Sequence, residues 1–152
     1  ATVINGSFET PALAGSFSTF TGTGINGWTV TFGNIEIDRT PWPASEGSQS
    51  MSMNGNAPGA LEQQISGLTP GATYTLNFDY ARHTSGSGSQ TMTVSIDSEQ
   101  SQSFNLAASN KPPSYLQAQY DFVAGADGVV TIGFESTSMG GLGVVVDNIT
   151  ID

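Results

Sequence analysis

The sequence predicts a single domain folded as an antiparallel β-sandwich. Three observations carry that reading: short segments of alternating apolar and polar residues recur along the chain, turn residues punctuate them, and no window between them has the spacing of an amphipathic helix. Composition agrees with the pattern. The 152 residues are 37% hydrophobic and only 11% charged, with 19 Gly and 7 Pro, which is poor material for a coiled coil or helical bundle. With 9% aromatics and many β-branched residues the chain can form the core that a disordered one lacks.

The elements follow in order. A first hydrophobic segment covers 3–8, and 10–27 reads as a loop. Strands are expected at 28–32 and 35–38, a loop at 41–47, then a strand at 50–54 with Met51 and Met53 inward and another at 61–66. The clearest strand is 72–81, where Tyr74, Leu76, Phe78 and Tyr80 share one face and Thr73, Thr75, Asn77 and Asp79 the other. Further strands fall at 91–97 (Met92, Val94, Ile96 inward), 102–106, 116–123, 129–135 and 144–151. Thr69-Pro70-Gly71, Ala57-Pro58-Gly59, Ala126-Asp127-Gly128 and the Ser/Gly stretch 85–89 supply the turns. No repeat of fixed period is present, and the glycine-rich 140–143 reads as a turn.

Three Lys or Arg against thirteen Asp or Glu give a net charge of -10, which repels nucleic acid and anionic lipid and favours a soluble monomer. No apolar run approaches the roughly 20 residues of a membrane helix, and no signal-like segment opens the sequence. With no Cys there is no disulfide, thiolate metal site or Cys nucleophile. The one His, His83, has no nucleophile-elbow pattern beside it, and a single sandwich leaves little chain for a deep catalytic cleft, so a non-enzymatic role is expected. The Thr-x-Thr pairs are too irregularly spaced for an ice-binding face.

Asp147 shares sequence parity with Val145, Ile149 and Ile151, which places a carboxylate in line with core residues, where it needs a partner. Backbone donors, an Arg or a metal ion are the candidates, and a solvated sheet edge is the alternative. If the first and last segments pair, Glu9 and Asp147 converge on a hard cation such as calcium.

Asn5-Gly6-Ser7-Phe8-Glu9, Gly27-Trp28-Thr29-Val30, 33–38, 42–50, Met53-Asn54-Gly55, Pro58-Gly59, 61–65, 70–74 and Val146-Asp147-Asn148-Ile149 occur in an order that resembles the bacterial choice-of-anchor domain. That domain is related to the plant cell-wall domain of unknown function, in the galactose-binding-like jelly-roll superfamily that includes many carbohydrate-binding modules. The resemblance covers nearly the whole chain. It implies a jelly roll, an extracellular or cell-surface (secreted) placement, polysaccharide binding and a structural calcium. Glu9 and Asp147 match the acids that share this ion in related modules, with carbonyls or hydroxyls around Glu46, Gly47 and Ser50 as companions.

Sugar recognition needs an aromatic face for the apolar side of a pyranose and planar polar groups for its hydroxyls. Trp42, Tyr115 and Phe20 are the candidate aromatics; Arg39, Asp38, Arg82, His83, Asn54 and Gln119 are the candidate polar partners. Trp42, stiffened between Pro41 and Pro43, reads either as a platform or as a plug over the sandwich, and Trp28 reads as core. Arg82 either pairs with a carboxylate such as Asp79 or grips a glycan. The expected function is a non-catalytic carbohydrate-binding module for an extracellular polysaccharide; a structural adhesion module without a sugar site is the alternative.

Overall fold

The structure, a computed structural model, describes residues 2–85, 89–98, 100–106 and 110–152. Its strands are β1 (Phe17–Gly22), β2 (Thr29–Asp38), β3 (Ser50–Ser52), β4 (Ala60–Ile65), β5 (Thr73–Ala81), β6 (Gln90–Ile96), β7 (Gln100–Leu106), β8 (Leu116–Val123), β9 (Val130–Ser136) and β10 (Val145–Ile151). They hydrogen-bond antiparallel along one path, β7-β6-β9-β4-β2-β3-β10-β5-β8, with β1 also paired to β2.

The path becomes a jelly-roll sandwich because β2 serves both layers. Its first half pairs with β4 (Val30↔Leu61) and its second half with β3 (Ile37↔Met51). Between them Gly33 takes φ +57°, and a Cβ there would stand 1.9 Å from the Pro58 carbonyl oxygen. Only glycine permits both the left-handed turn and that approach. Strands β7, β6, β9 and β4 therefore form one layer with the start of β2, and the rest of β2 joins β3, β10, β5 and β8 in the other.

The alternating apolar residues of both layers meet between them. Phe78 of β5 lies 5.3 Å from Phe134 of β9 and 5.4 Å from Phe104 of β7, edge to face in both cases. Trp28, 2% exposed as expected of a core residue, sits between Phe8 at 5.6 Å and Phe134 at 6.1 Å. Met51 and Met53 are fully buried, as their parity requires.

Four readings of the sequence are corrected. The segments 28–32 and 35–38 are one strand, because the glycine between them turns a corner without reversing the chain. The loop 10–27 contains β1, whose side chains are almost all exposed; an edge strand with neither face buried has no apolar alternation to read. The segment 3–8 is turns, meeting β10 through one bond from Ile149 N to Gly6 O. Asp147 does not face the core: the β10–β5 register shifts after Asp147, Asn148 adopts φ +53°, and this bulge puts Val146, Ile149 and Ile151 inward and Val145 and Asp147 outward. Part of the turn at 85–89 lies outside the described residues.

The corner at Gly33 yields a prediction. Gly33→Ala forces a positive φ and a backbone clash at once, and is expected to lower unfolding free energy by about 2–4 kcal/mol in a denaturant melt. Gly71→Ala, also at positive φ but with open space around it, is expected to lose about 1–2 kcal/mol from conformation alone.

Candidate functional site

In a two-layer sandwich the outer face of each layer ordinarily meets water. One half of the outer face of the β2–β3–β10–β5–β8 layer does not. Asp38 (β2), Ser50 and Ser52 (β3) and Asp147 (β10) project there, and all are essentially inaccessible. The cover is the connection between β2 and β3. Trp42 is 5% exposed and donates from Nε1 to Ser50 Oγ at 2.8 Å; Tyr115 Oη donates to the Pro43 carbonyl at 2.8 Å.

Two carboxylates fasten this cover. Asp147 Oδ2 accepts from Ser45 N at 2.9 Å, Glu46 N at 3.0 Å and Ser45 Oγ at 3.3 Å, and Oδ1 accepts from Asn148 N at 2.8 Å. Glu9 accepts from Ser48 N at 3.0 and 3.1 Å and from Gln49 N at 2.8 Å. Gly47 lies between these donors. A Cβ on it would come within 2.6 Å of the Glu9 carboxyl carbon, so the loop accepts Glu9 because residue 47 has no side chain. Burial pushes Asp147 up to about 7, with the backbone donors pulling the other way.

Deeper under the cover, burial and then the hydrogen-bonding, charged Glu36 beside it push Asp38 up to about 9, while the Ser52 hydroxyl at 2.9 Å opposes the shift. Asp38 Oδ1 is the buried side-chain atom without a hydrogen-bond partner among the described residues. Its carboxyl is thus held well above the usual carboxylate range. Arg82, 2% exposed, donates from Nε to the His83 carbonyl. The His83 ring meets Trp42 edge to face at 4.8 Å, and burial, with Arg82 acting against Glu36, lowers its pKa.

The other half of the outer face is open and forms a groove. Its larger part, about 440 Å³, is lined by Ala44, Ser45, Asp79, Pro113, Tyr115, Leu116 and Gln117. An adjoining hollow of about 180 Å³ shares Asp79 and Gln117 and adds Asn77, Gln119, Asn148 and Thr150. Antiparallel pairing of β5 with β8 sets this floor, with Asp79 opposite Gln117, Asn77 opposite Gln119 and Thr75 opposite Asp121. Asn148 Nδ2 donates to Asp79 Oδ2 at 3.3 Å and Asn77 Nδ2 to Asp152 Oδ2 at 3.1 Å. The wall of Pro113, Tyr115 and Leu116 is apolar, and planar amides line the floor.

Most of the residues expected to bind a ligand are thus gathered in one region, but on two sides of the cover. Trp42 is the plug, because its ring is buried and its indole N–H is used; Asp38 lies beneath it, His83 is half-buried against it, and Arg82, next to His83, is buried. Asn54 is buried elsewhere, donating to the Ser138 and Gly140 carbonyls and accepting from Ser136 Oγ. Arg39 is exposed. Phe20 packs against the core. Tyr115 and Gln119 alone of these residues line the groove, where Asn77, Asp79, Gln117 and Asn148 were missed. Their signal was present in the polar parity of the two strands that pair.

Glu9, Asp147 and the Ser45 hydroxyl are oxygen donors of the kind a hard cation takes. Both acids do meet one loop, which contains Glu46 and Gly47. As found, however, that loop turns amide N–H groups toward the two carboxylates, and Ser50 Oγ faces Trp42. Among the described residues no three His, Asp or Glu side chains cluster for an ion.

Fold and groove together define a jelly-roll module of the architecture used by carbohydrate-binding modules. Solved structures with this fold include the family 35 module from Cellvibrio japonicus Abf62 (17% identity, 90% of this chain and 93% of that one, TM-score 0.62). The family 35 module from Paenibacillus barcinonensis is similar at 20% identity over 89% of this chain and 98% of that one, TM-score 0.59. A family 61 module, solved in complex with β-1,4-galactotriose, covers 100% of this chain and 98% of its own at 12% identity, TM-score 0.58. The chain belongs to the family of proteins of unknown function termed DUF642, which matches residues 1–152. Halomucin from Haloquadratum walsbyi is 28% identical over 157 residues; the match takes in 98% of this chain and 2% of halomucin's length. Among the described residues no helix is long and apolar enough to cross a membrane.

Asp38 gives a pH dependence of defined sign. An acid whose folded pKa lies above its unfolded value binds more protons when folded, so its contribution is full below about 4 and is lost as pH rises toward about 9. Denaturant melts from pH 5 to 9 are expected to show wild type losing stability relative to Asp38→Asn by up to about 1.4 kcal/mol per pH unit. Parallel stability profiles for the two proteins would contradict the raised Asp38 pKa.

Proposed function

We propose that this domain is a non-catalytic carbohydrate-binding module that holds an extracellular polysaccharide in the groove over β5, β8 and β10. The observation that carries the reading is the groove itself: a continuous open surface with an apolar wall at Tyr115 and Leu116 and amide side chains at Asn77, Gln117, Gln119 and Asn148. Sugars present apolar ring faces and hydroxyls that both donate and accept, and planar amides match the second while the wall matches the first. The larger part of the groove is within the roughly 300–1,000 Å³ of small-ligand sites. Asp79 is the one carboxylate among its lining residues, whereas glycoside hydrolysis ordinarily employs two flanking the scissile bond.

Gln117→Ala and Gln119→Ala each remove hydrogen-bonding groups from the groove without touching the core. Each is expected to weaken binding in a glycan-array or calorimetric assay about five- to tenfold, at about 1 kcal/mol per hydrogen bond, with an unchanged melting temperature. Full affinity in the double variant would remove the groove as the site.

The match to 2% of halomucin's length favours a second reading, a structural module repeated or embedded in a long surface protein. Silence across a broad glycan panel would select it. In either reading we propose that Glu9 and Asp147, with oxygens of the loop containing Glu46 and Gly47, hold a calcium ion that locks the cover in place. Added calcium is then expected to raise the melting temperature of wild type and not of Asp147→Asn, since an ion that binds only the folded state stabilises it by mass action. Equal melts with calcium and with chelator would remove the ion from this account.

A further inference from the structure

We propose that the groove selects uncharged glycan chains and rejects those bearing carboxylates or sulfates, with Asp79 as the specificity-determining residue. The inference rests on the groove being the sugar site and adds the class of sugar it takes. Asp79 lines both parts of the groove, so a bound chain passes it wherever it lies. Two further carboxylates border the same floor. Asp121 is opposite Thr75 and accepts from its hydroxyl at 2.7 Å, and Asp152 accepts from Asn77.

The nearby donors are already drawn toward these acids. Asn77 Nδ2 donates to Asp152 and Asn148 Nδ2 to Asp79, so neither donor is free for an anionic ligand. An anionic chain needs cationic partners, and the chain has three Lys or Arg in all: Arg39, Arg82 and Lys111. None of them lines the groove, and Arg82 is buried. A net charge of -10 adds a repulsive field around the site. A neutral chain meets none of this opposition, because its hydroxyls can donate to Asp79 and to the amide oxygens.

The test compares matched ligands: β-1,4-linked glucan, mannan and galactan oligosaccharides, and the same chains with part of their C6 hydroxyls oxidised to carboxylates. Calorimetry or affinity electrophoresis at low ionic strength is expected to show each oxidised chain binding on the order of tenfold more weakly than its neutral parent. Salt near 1 M is expected to narrow the gap in part, since screening weakens repulsion from the exposed Asp121 and the overall charge more than from the buried Asp79. Asp79→Asn keeps the side chain's shape, and is expected to close most of the gap, read as the ratio of oxidised-chain to neutral-chain affinity in the same variant, whatever it does to neutral-chain affinity itself. Asp121→Asn, on the exposed rim, is expected to close it in part, and serves if Asp79→Asn proves unstable. Oxidised chains that bind as well as or better than their parents, or a gap unmoved by both variants and by salt, would overturn the selectivity while leaving the groove reading intact. Failure of every neutral chain to bind would overturn the groove reading and the selectivity with it.

Discussion

Much of this molecule depends on two carboxylates reaching the same loop from opposite ends of the chain. Glu9, just after the first turns, and Asp147, in the last strand, accept backbone N–H groups on either side of Gly47 and so fix the β2–β3 connection against the sheet. A buried carboxylate is costly unless donors surround it, and a loop lying over a sheet has backbone donors that need acceptors. Each requirement meets the other here. The fastening makes the rest possible: Trp42 can be a plug because the backbone after it is held, and the Pro43 carbonyl is in place to receive Tyr115. The groove wall is thus built indirectly by Glu9 and Asp147, which line none of it.

That arrangement divides one sheet face into two environments. Beneath the cover, Asp38, Ser50, Ser52 and Asp147 form a polar interior outside the apolar core, so that the end of β2, β3 and the start of β10 are buried on both faces. Low solvent access raises the Asp38 pKa, and Trp42 is held by Ser50 and packed on by His83. Beyond the cover's edge, the same strands with β5 and β8 face solvent with uncharged amides and a few acids. The boundary runs through Ser45, Asp79 and Tyr115. Such a junction provides what a glycan site uses, an aromatic edge fixed at one side of a hydrated polar floor.

The class of fold was legible because alternation with period two is a direct consequence of one face being buried, and most strands satisfy that condition. Where the condition failed, so did the reading. The edge strand β1 buries neither face, so nothing in Phe17-Ser18-Thr19-Phe20 alternates. In β10 both faces of the first half are buried, and the positive φ of Asn148 exchanges the two parities midway, which put Asp147 on the wrong side. The site was legible in its parts more than in its roles. An aromatic between two prolines and a neighbouring polar residue did come together, yet Trp42 and Asp38 became a second interior, because exposure is decided by what the loop covers and not by residue type. The amides of the groove were visible only as the polar face of two separate strands, and their significance comes from the pairing of β5 with β8, which no local pattern encodes.

A floor made of strand side chains also constrains how such a site binds. Residues on β5 and β8 are held by their ladder, so little conformational entropy is lost when a ligand docks, and the shape offered is that of the pleated sheet. The open groove leaves a bound sugar partly hydrated, which limits affinity per unit but allows a long polymer to lie across it without threading its end into a pocket. For a module set in a larger surface or secreted chain, that combination favours many weak, reversible contacts over one tight one, and retention then comes from several modules engaging one polymer at high effective concentration. An acidic surface suits the same use: it keeps neighbouring copies apart while a neutral polymer approaches without opposition.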